Sequence, residues 1–233
     1  ISLGLVGSEM CIRDRLYTDK KNTYIEKQYY PPLIHEDVIR NNCDLSNNII
    51  ISAPNKAGKT TFLKTTTINI IFSQQFGCGF YKSATICPYK YIHSYLNIPD
   101  TSERDSLFQA ESRRCKYIID HILENTELRH FCIFDELYSG TNPDEASQAG
   151  KAFIKYLSKF SNVDFMLTTH YFKTCKFFKN SENVSNYKME VNVENTGEFN
   201  YTYKLKKGIS TLKGGIRVLK DLNYPEEILK EVE

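Results

Sequence analysis

Neither sign of charge dominates this chain: 30 lysines and arginines stand against 28 acids in 233 residues. A surface that announces nucleic acid by charge alone is thereby excluded. No apolar run reaches the roughly 18 residues of a membrane-spanning helix, so no membrane association is expected. C-x-x-C spacing is missing too. The seven cysteines (Cys11, Cys43, Cys78, Cys87, Cys115, Cys132, Cys175) are odd in number and scattered. That pattern argues against a disulfide framework and against zinc, and favours a reducing setting, cytosol or nucleus. There is no internal repeat or low-complexity tract. What remains has a globular composition and the length for one α/β domain with a small appendage.

The most informative stretch runs from Ile49 to Thr61, IIISAPNKAGKTT. Three β-branched residues form a short apolar run suited to a strand buried on both faces, and Pro54-Asn55 breaks it. Gly58-Lys59-Thr60 follows, and Phe62, Leu63, Thr66 and Ile70 then recur at helical spacing, predicting a helix over about 58–76 that stops at Gly77-Cys78-Gly79. Strand, turn and helix N-terminus together make a site for a polyphosphate, because unpaired backbone N–H groups and the positive end of the helix dipole converge there. Lys59 would reach the β- and γ-phosphates, and the Thr60 hydroxyl would bind magnesium. The usual pattern opens with glycine, where this chain has Ala53; a methyl group fits if φ stays negative.

Residues 1–15, ISLGLVGSEMCIRDR, begin without methionine, and the character of the chain changes at Leu16. With no basic region ahead of their short apolar part, they read as a translated sequencing-adapter remnant more than as a signal peptide, which implies native sequence lost upstream. From Leu16 to Ser46 a polar, tyrosine-rich segment predicts turns and short edge strands leading into a strand at 48–52. One of its rings could stack on adenine, although packing on the strand edges is the simpler role for any single tyrosine.

Ala84–Cys87 and Tyr89–Tyr95 predict short strands around Pro88. Ser102-Glu103-Arg104-Asp105 has capping-box spacing, and Leu107, Phe108, Glu111, Cys115, Ile118, Ile119, Ile122 and Leu123 extend an amphipathic helix to about Asn125. Phe131-Cys132-Ile133-Phe134-Asp135-Glu136 is an apolar strand ending in two carboxylates. Ligands of open parallel sheets bind beyond such strand ends, so Asp135 would bind magnesium and Glu136 would orient the attacking water. Pro143 opens another helix to about Phe160, and the strand Val163–Thr169 ends at His170, placed to sense a γ-phosphate. Period-two alternation over 188–205 around Asn195-Thr196-Gly197 predicts a β-hairpin, and Pro225 opens a last helix.

In this order the motifs resemble the ATPase domain of the MutS family of DNA mismatch-repair proteins, an ABC-type P-loop ATPase. The stretches are APNKAGKTT (53–61), SLFQAE (106–111), FDELYSGTNP (134–143), TTHY (168–171) and YKLKKGISTLKGGIRVL (203–219). The resemblance implies a mainly parallel sheet flanked by helices, a β-hairpin and a small C-terminal helical appendage. It divides the chain into an ATPase domain at 16–205 and a dimerisation appendage at 206–233. It assigns ATP to Asn55, Ala57, Gly58, Lys59, Thr60 and Thr61, magnesium to Thr60 and Asp135, and catalysis to Glu136 and the switch histidine His170. Ser106 would complete the site of a second MutS-type subunit, and DNA would be read by N-terminal domains outside this region. Departures from the family pattern are Ala53 and Ala57, where glycine is common, and Val38, near the usual place of an adenine-stacking aromatic. They bear on the tightness of nucleotide binding.

Two further readings share these residues: a MutS relative acting in recombination control, and a nucleotide-gated dimerisation module with little turnover. A transporter cassette fits less well, since no Leu-Ser-Gly-Gly signature stands before the acidic strand.

Overall fold

The computed structural model describes residues 15–17, 22–96, 98, 106–194, 198–212, 214, 219–220 and 222–232. Residues 1–14 of the adapter-like segment, the Ser102–Asp105 spacing and the Asn195–Gly197 turn lie outside them. Arg15 opens the first strand.

Strand β4 (Asn48–Ser52) is the centre of a six-stranded sheet. Beside it run β8 (Val163–Thr169) and β9 (Val184–Val193), both parallel to it; β7 (His130–Asp135) and β6 (Tyr91–Tyr95) continue the parallel run past β8. Only β10 (Phe199–Lys207) is antiparallel, forming the hairpin with β9. Alternation along the central strands explains why they read as continuous apolar runs. Ile49, Ile51, Phe131, Ile133 and Met166 face one side, where they meet Phe62, Leu63 and Ile70 of helix α1 (Lys59–Phe76). Ile50, Cys132, Phe134, Phe165 and Leu167 face the other, where they meet α2 (Leu107–Glu124), α3 (Pro143–Leu157) and α4 (Phe172–Phe177). Both faces of the sheet are thus covered, as a parallel sheet requires.

The tyrosine-rich segment does more than edge this sheet. Strands β1 (Arg15–Tyr17), β2 (Tyr24–Gln28) and β3 (Asn41–Asp44) join β5 (Ser83–Ile86) in a separate four-stranded sheet, ordered β1-β5-β2-β3. Ile25, Cys43, Leu45, Ala84 and Ile86 pack it into the α1 side of the core. Tyr29 is buried, edge-on to Phe80 and beneath the Arg40 guanidinium, the packing role that is simpler for a single tyrosine of this segment.

Ser106 is the N-cap of α2: its hydroxyl accepts from Gln109 N, and the Gln109 side chain accepts from Ser106 N. The reciprocal pair forms there because Ser106 immediately precedes the first apolar residue of the helix stripe. A short final helix, α5 (Glu226–Val232), follows Pro225 as expected. Among the described residues, no helix is long and apolar enough to cross a membrane.

Candidate functional site

The phosphate loop turns where left-handed backbone is available. Gly58 at φ 90° is the N-cap of α1 and Lys56 at φ 64° precedes it; Ala53 is not among the positive-φ residues, so its methyl group costs no backbone strain. No side chain caps α1 and its first turn holds no acid. The positive end of an 18-residue helix is therefore left for an anion.

Lys59 is 5% exposed, and its Nζ donates to the carbonyl oxygens of Ala53 (3.0 Å) and Pro54 (3.2 Å) and to Asn55 Oδ1 (3.4 Å). Glu136 Oε1 is 3.5 Å away. Burial pulls the ammonium below its usual range and the Glu136 carboxylate opposes that pull. A second anion would be welcome here.

The two expected motifs meet. Thr60 Oγ1 donates to Asp135 Oδ2 at 2.8 Å and lies 3.1 Å from Oδ1, and the Thr168 hydroxyl also donates to Oδ1. Glu136 follows with φ at 53°, its N–H bonded to Thr168 O at 3.1 Å. That left-handed residue ends the strand geometry and directs the carboxylate to Lys59 and to His170 Nδ1, 3.5 Å away. The His170 hydrogen bond and the Lys59 charge hold the Glu136 carboxyl below the ordinary range, against the effect of burial. His170 itself is about half exposed.

A cleft of about 830 Å³ lies over Asn55–Thr61 and Glu136, extending to Tyr30, Val38, Ile39 and Tyr203. Its size suits a nucleotide. The Tyr203 ring rests on the loop: a Cβ built on Gly58 would stand 3.1 Å from Tyr203 Cδ1. A bulge at φ 55° places that ring, and Asn41 ties the bulge to β3 through bonds to Tyr203 O and Leu205 N. Ser106 is exposed at the tip of α2.

Two contributors escaped the sequence reading. Thr168 stands in the strand that was read for its terminal histidine. Glu111, 2% exposed, accepts from Ser139 N and Oγ (both 3.0 Å) and Gly140 N (3.1 Å), tying α2 to the turn after Glu136. Its signal was present: a carboxylate on the apolar stripe with Cys115, Ile118 and Ile122.

Comparison with known proteins agrees. Two relatives named "Endonuclease MutS2" are 26% identical: that of Staphylococcus carnosus (strain TM300) over 92% of this chain and 27% of its own length, and that of Staphylococcus aureus over 93% and 30%. The chain therefore spans under a third of the relatives it matches. The family described as MutS domain V matches residues 49–233, which begins at the central strand and takes in both acidic and phosphate-loop motifs. By that match, the chain belongs to the MutS family, as its C-terminal ATPase domain of the P-loop class.

Proposed function

We propose that this domain binds and hydrolyses ATP, and that in a MutS-type protein of DNA mismatch repair it couples turnover to opening and closing of a DNA clamp. The observation that carries this reading is the Thr60–Asp135 contact at 2.8 Å, beside Lys59 and Glu136 at 3.5 Å. The residues fit a triphosphate: loop N–H groups and Lys59 hold the β- and γ-phosphates, and Gly58 and Ala57 keep the backbone close. Asn55 and Thr61 line the same cleft. Thr60 and Asp135 would hold magnesium, which when bound neutralises phosphate charge. Glu136, ionised and steered by His170 and Lys59, aligns the attacking water and accepts its proton. The exposed Ser106 would complete the site of a second MutS-type subunit, and DNA would be contacted through further domains. The six cysteines among the described residues are free thiols, which suits a reducing compartment, cytosol or nucleus.

Glu136→Gln is the test. Nucleotide affinity stays within about threefold while single-turnover phosphate release falls by roughly 100-fold or more; release at the parent rate removes Glu136 from the role. A second task for the same chemistry, recombination control, would be separated by DNA-binding assays on the complete reading frame. ATP-dependent dimers in sedimentation with no phosphate release would instead favour a nucleotide-gated dimerisation module.

A further inference from the structure

Three of the chain's five histidines converge away from the phosphate site. His130 opens β7, five residues before Asp135, so about 16 Å of strand separates it from the acids. His93 lies on β6 and His121 in the last turn of α2; one ring nitrogen from each of the three lies within 4.8 Å of the others.

The local bonding is incomplete in a particular way. His93 Nε2 and His130 Nδ1 are 3.0 Å apart with ring planes 11° from parallel. His130 Nε2 lies 3.0 Å from the Asn125 carbonyl oxygen, so it donates there, and its Nδ1 presents a lone pair toward His93. His121 stands edge-on to both rings, and its Nδ1 is buried with no hydrogen-bond partner. A buried polar nitrogen without a partner is costly in a core.

We propose that His93, His121 and His130 form a binding site for a divalent transition-metal ion of the zinc class, fastening the end of α2 to the edge of the sheet. Metal–nitrogen bonds of about 2.0–2.1 Å in a tetrahedral site put neighbouring nitrogens about 3.3 Å apart, close to the His93–His130 separation. The Asn125 carbonyl supplies the outer hydrogen bond that fixes the tautomer of a ligating histidine. His93 changes tautomer, its proton moving from Nε2 to Nδ1, so no net proton is released. An all-imidazole set suits zinc, copper or nickel and not magnesium or calcium, so this site is distinct in chemistry from Thr60 and Asp135. The scattered cysteines argue only against thiolate zinc.

The test strips the full chain with chelator and titrates it with Zn²⁺ alone against a chromophoric indicator. One equivalent should bind and raise the unfolding midpoint, and His121→Ala should weaken binding roughly 100-fold or more. His93→Gln is the second variant, and X-ray absorption of the zinc-loaded parent should show a nitrogen and oxygen shell with imidazole scattering. The proposal is overturned by no stoichiometric binding, by parent-like affinity in both variants, or by sulfur in the shell. None of these readouts involves ATP.

Discussion

Thr60 Oγ1 donates to Asp135 Oδ2 at 2.8 Å, joining two residues 75 positions apart. One closes the phosphate loop and the other ends the strand two places across the sheet, with β8 between them. A hydroxyl and a carboxylate held at this distance form the pair that would share a cation.

Thr60→Val keeps the shape and removes the hydroxyl. Asp135 retains the Thr168 bond, so stability falls by only about 1 kcal/mol, while the gain in ATP affinity on adding magnesium largely disappears. Calorimetric titrations with and without magnesium read this directly, and Thr60→Ser should behave as the parent.

Gly58→Ala meets two obstacles, the φ of 90° and the Tyr203 ring 3.1 Å from the new methyl group. A loss of about 1–3 kcal/mol in urea unfolding is expected, with weakened nucleotide binding. Adding Tyr203→Ala should relieve the steric share and leave the backbone share. Equal losses in the single and double variants would show that the ring does not press on the loop.

Glu111→Ala leaves the Ser139 and Gly140 N–H groups without their buried acceptor. At about 1–3 kcal/mol per orphaned group, unfolding free energy should fall by several kcal/mol. Glu111→Gln keeps one acceptor and should fold, with kcat reduced more than ATP affinity, because the turn it holds directly follows Glu136. An unchanged kcat in that variant would confine Glu111 to structure.

Burial pushes the thiols of Cys43 and Cys115 up to about 12 and that of Cys175 to about 11, from an ordinary 9. Under native conditions at neutral pH, mass-mapped alkylation should therefore mark the partly exposed Cys78 first among the described cysteines. The unfolded chain ionises near pH 9 and the native chain only near 11–12. Stability from these groups is accordingly complete below pH 9 and erodes as pH rises toward 12. A midpoint that rises over that interval would contradict the assignment.

The strands Asn48–Ser52 and His130–Asp135 and the helices behind them were legible because continuous apolar runs of three or four residues, each followed by a 3.6-residue stripe, admit few other arrangements. The phosphate loop was legible as well, since Pro54, Gly58 and Lys59 act locally on backbone and charge. The second sheet was not: β2, β3 and β5 are short and polar on one side, and their pairing partners are distant in the chain. Glu111 read as one more position on a helix stripe, and the three histidines follow no spacing.

The order of Ile49–Ile51, Gly58-Lys59-Thr60 and Phe131–Glu136 along the chain determined the kind of chemistry, because those residues act through their own backbone geometry and charge. Which hydroxyls hold Asp135, which carboxylate steadies the turn after Glu136, and that His93 meets His121 and His130 were decided only by tertiary packing. The physical reason is reach: a hydrogen bond or a metal–ligand contact acts over about 3 Å, and only folding brings residues dozens of positions apart within that distance.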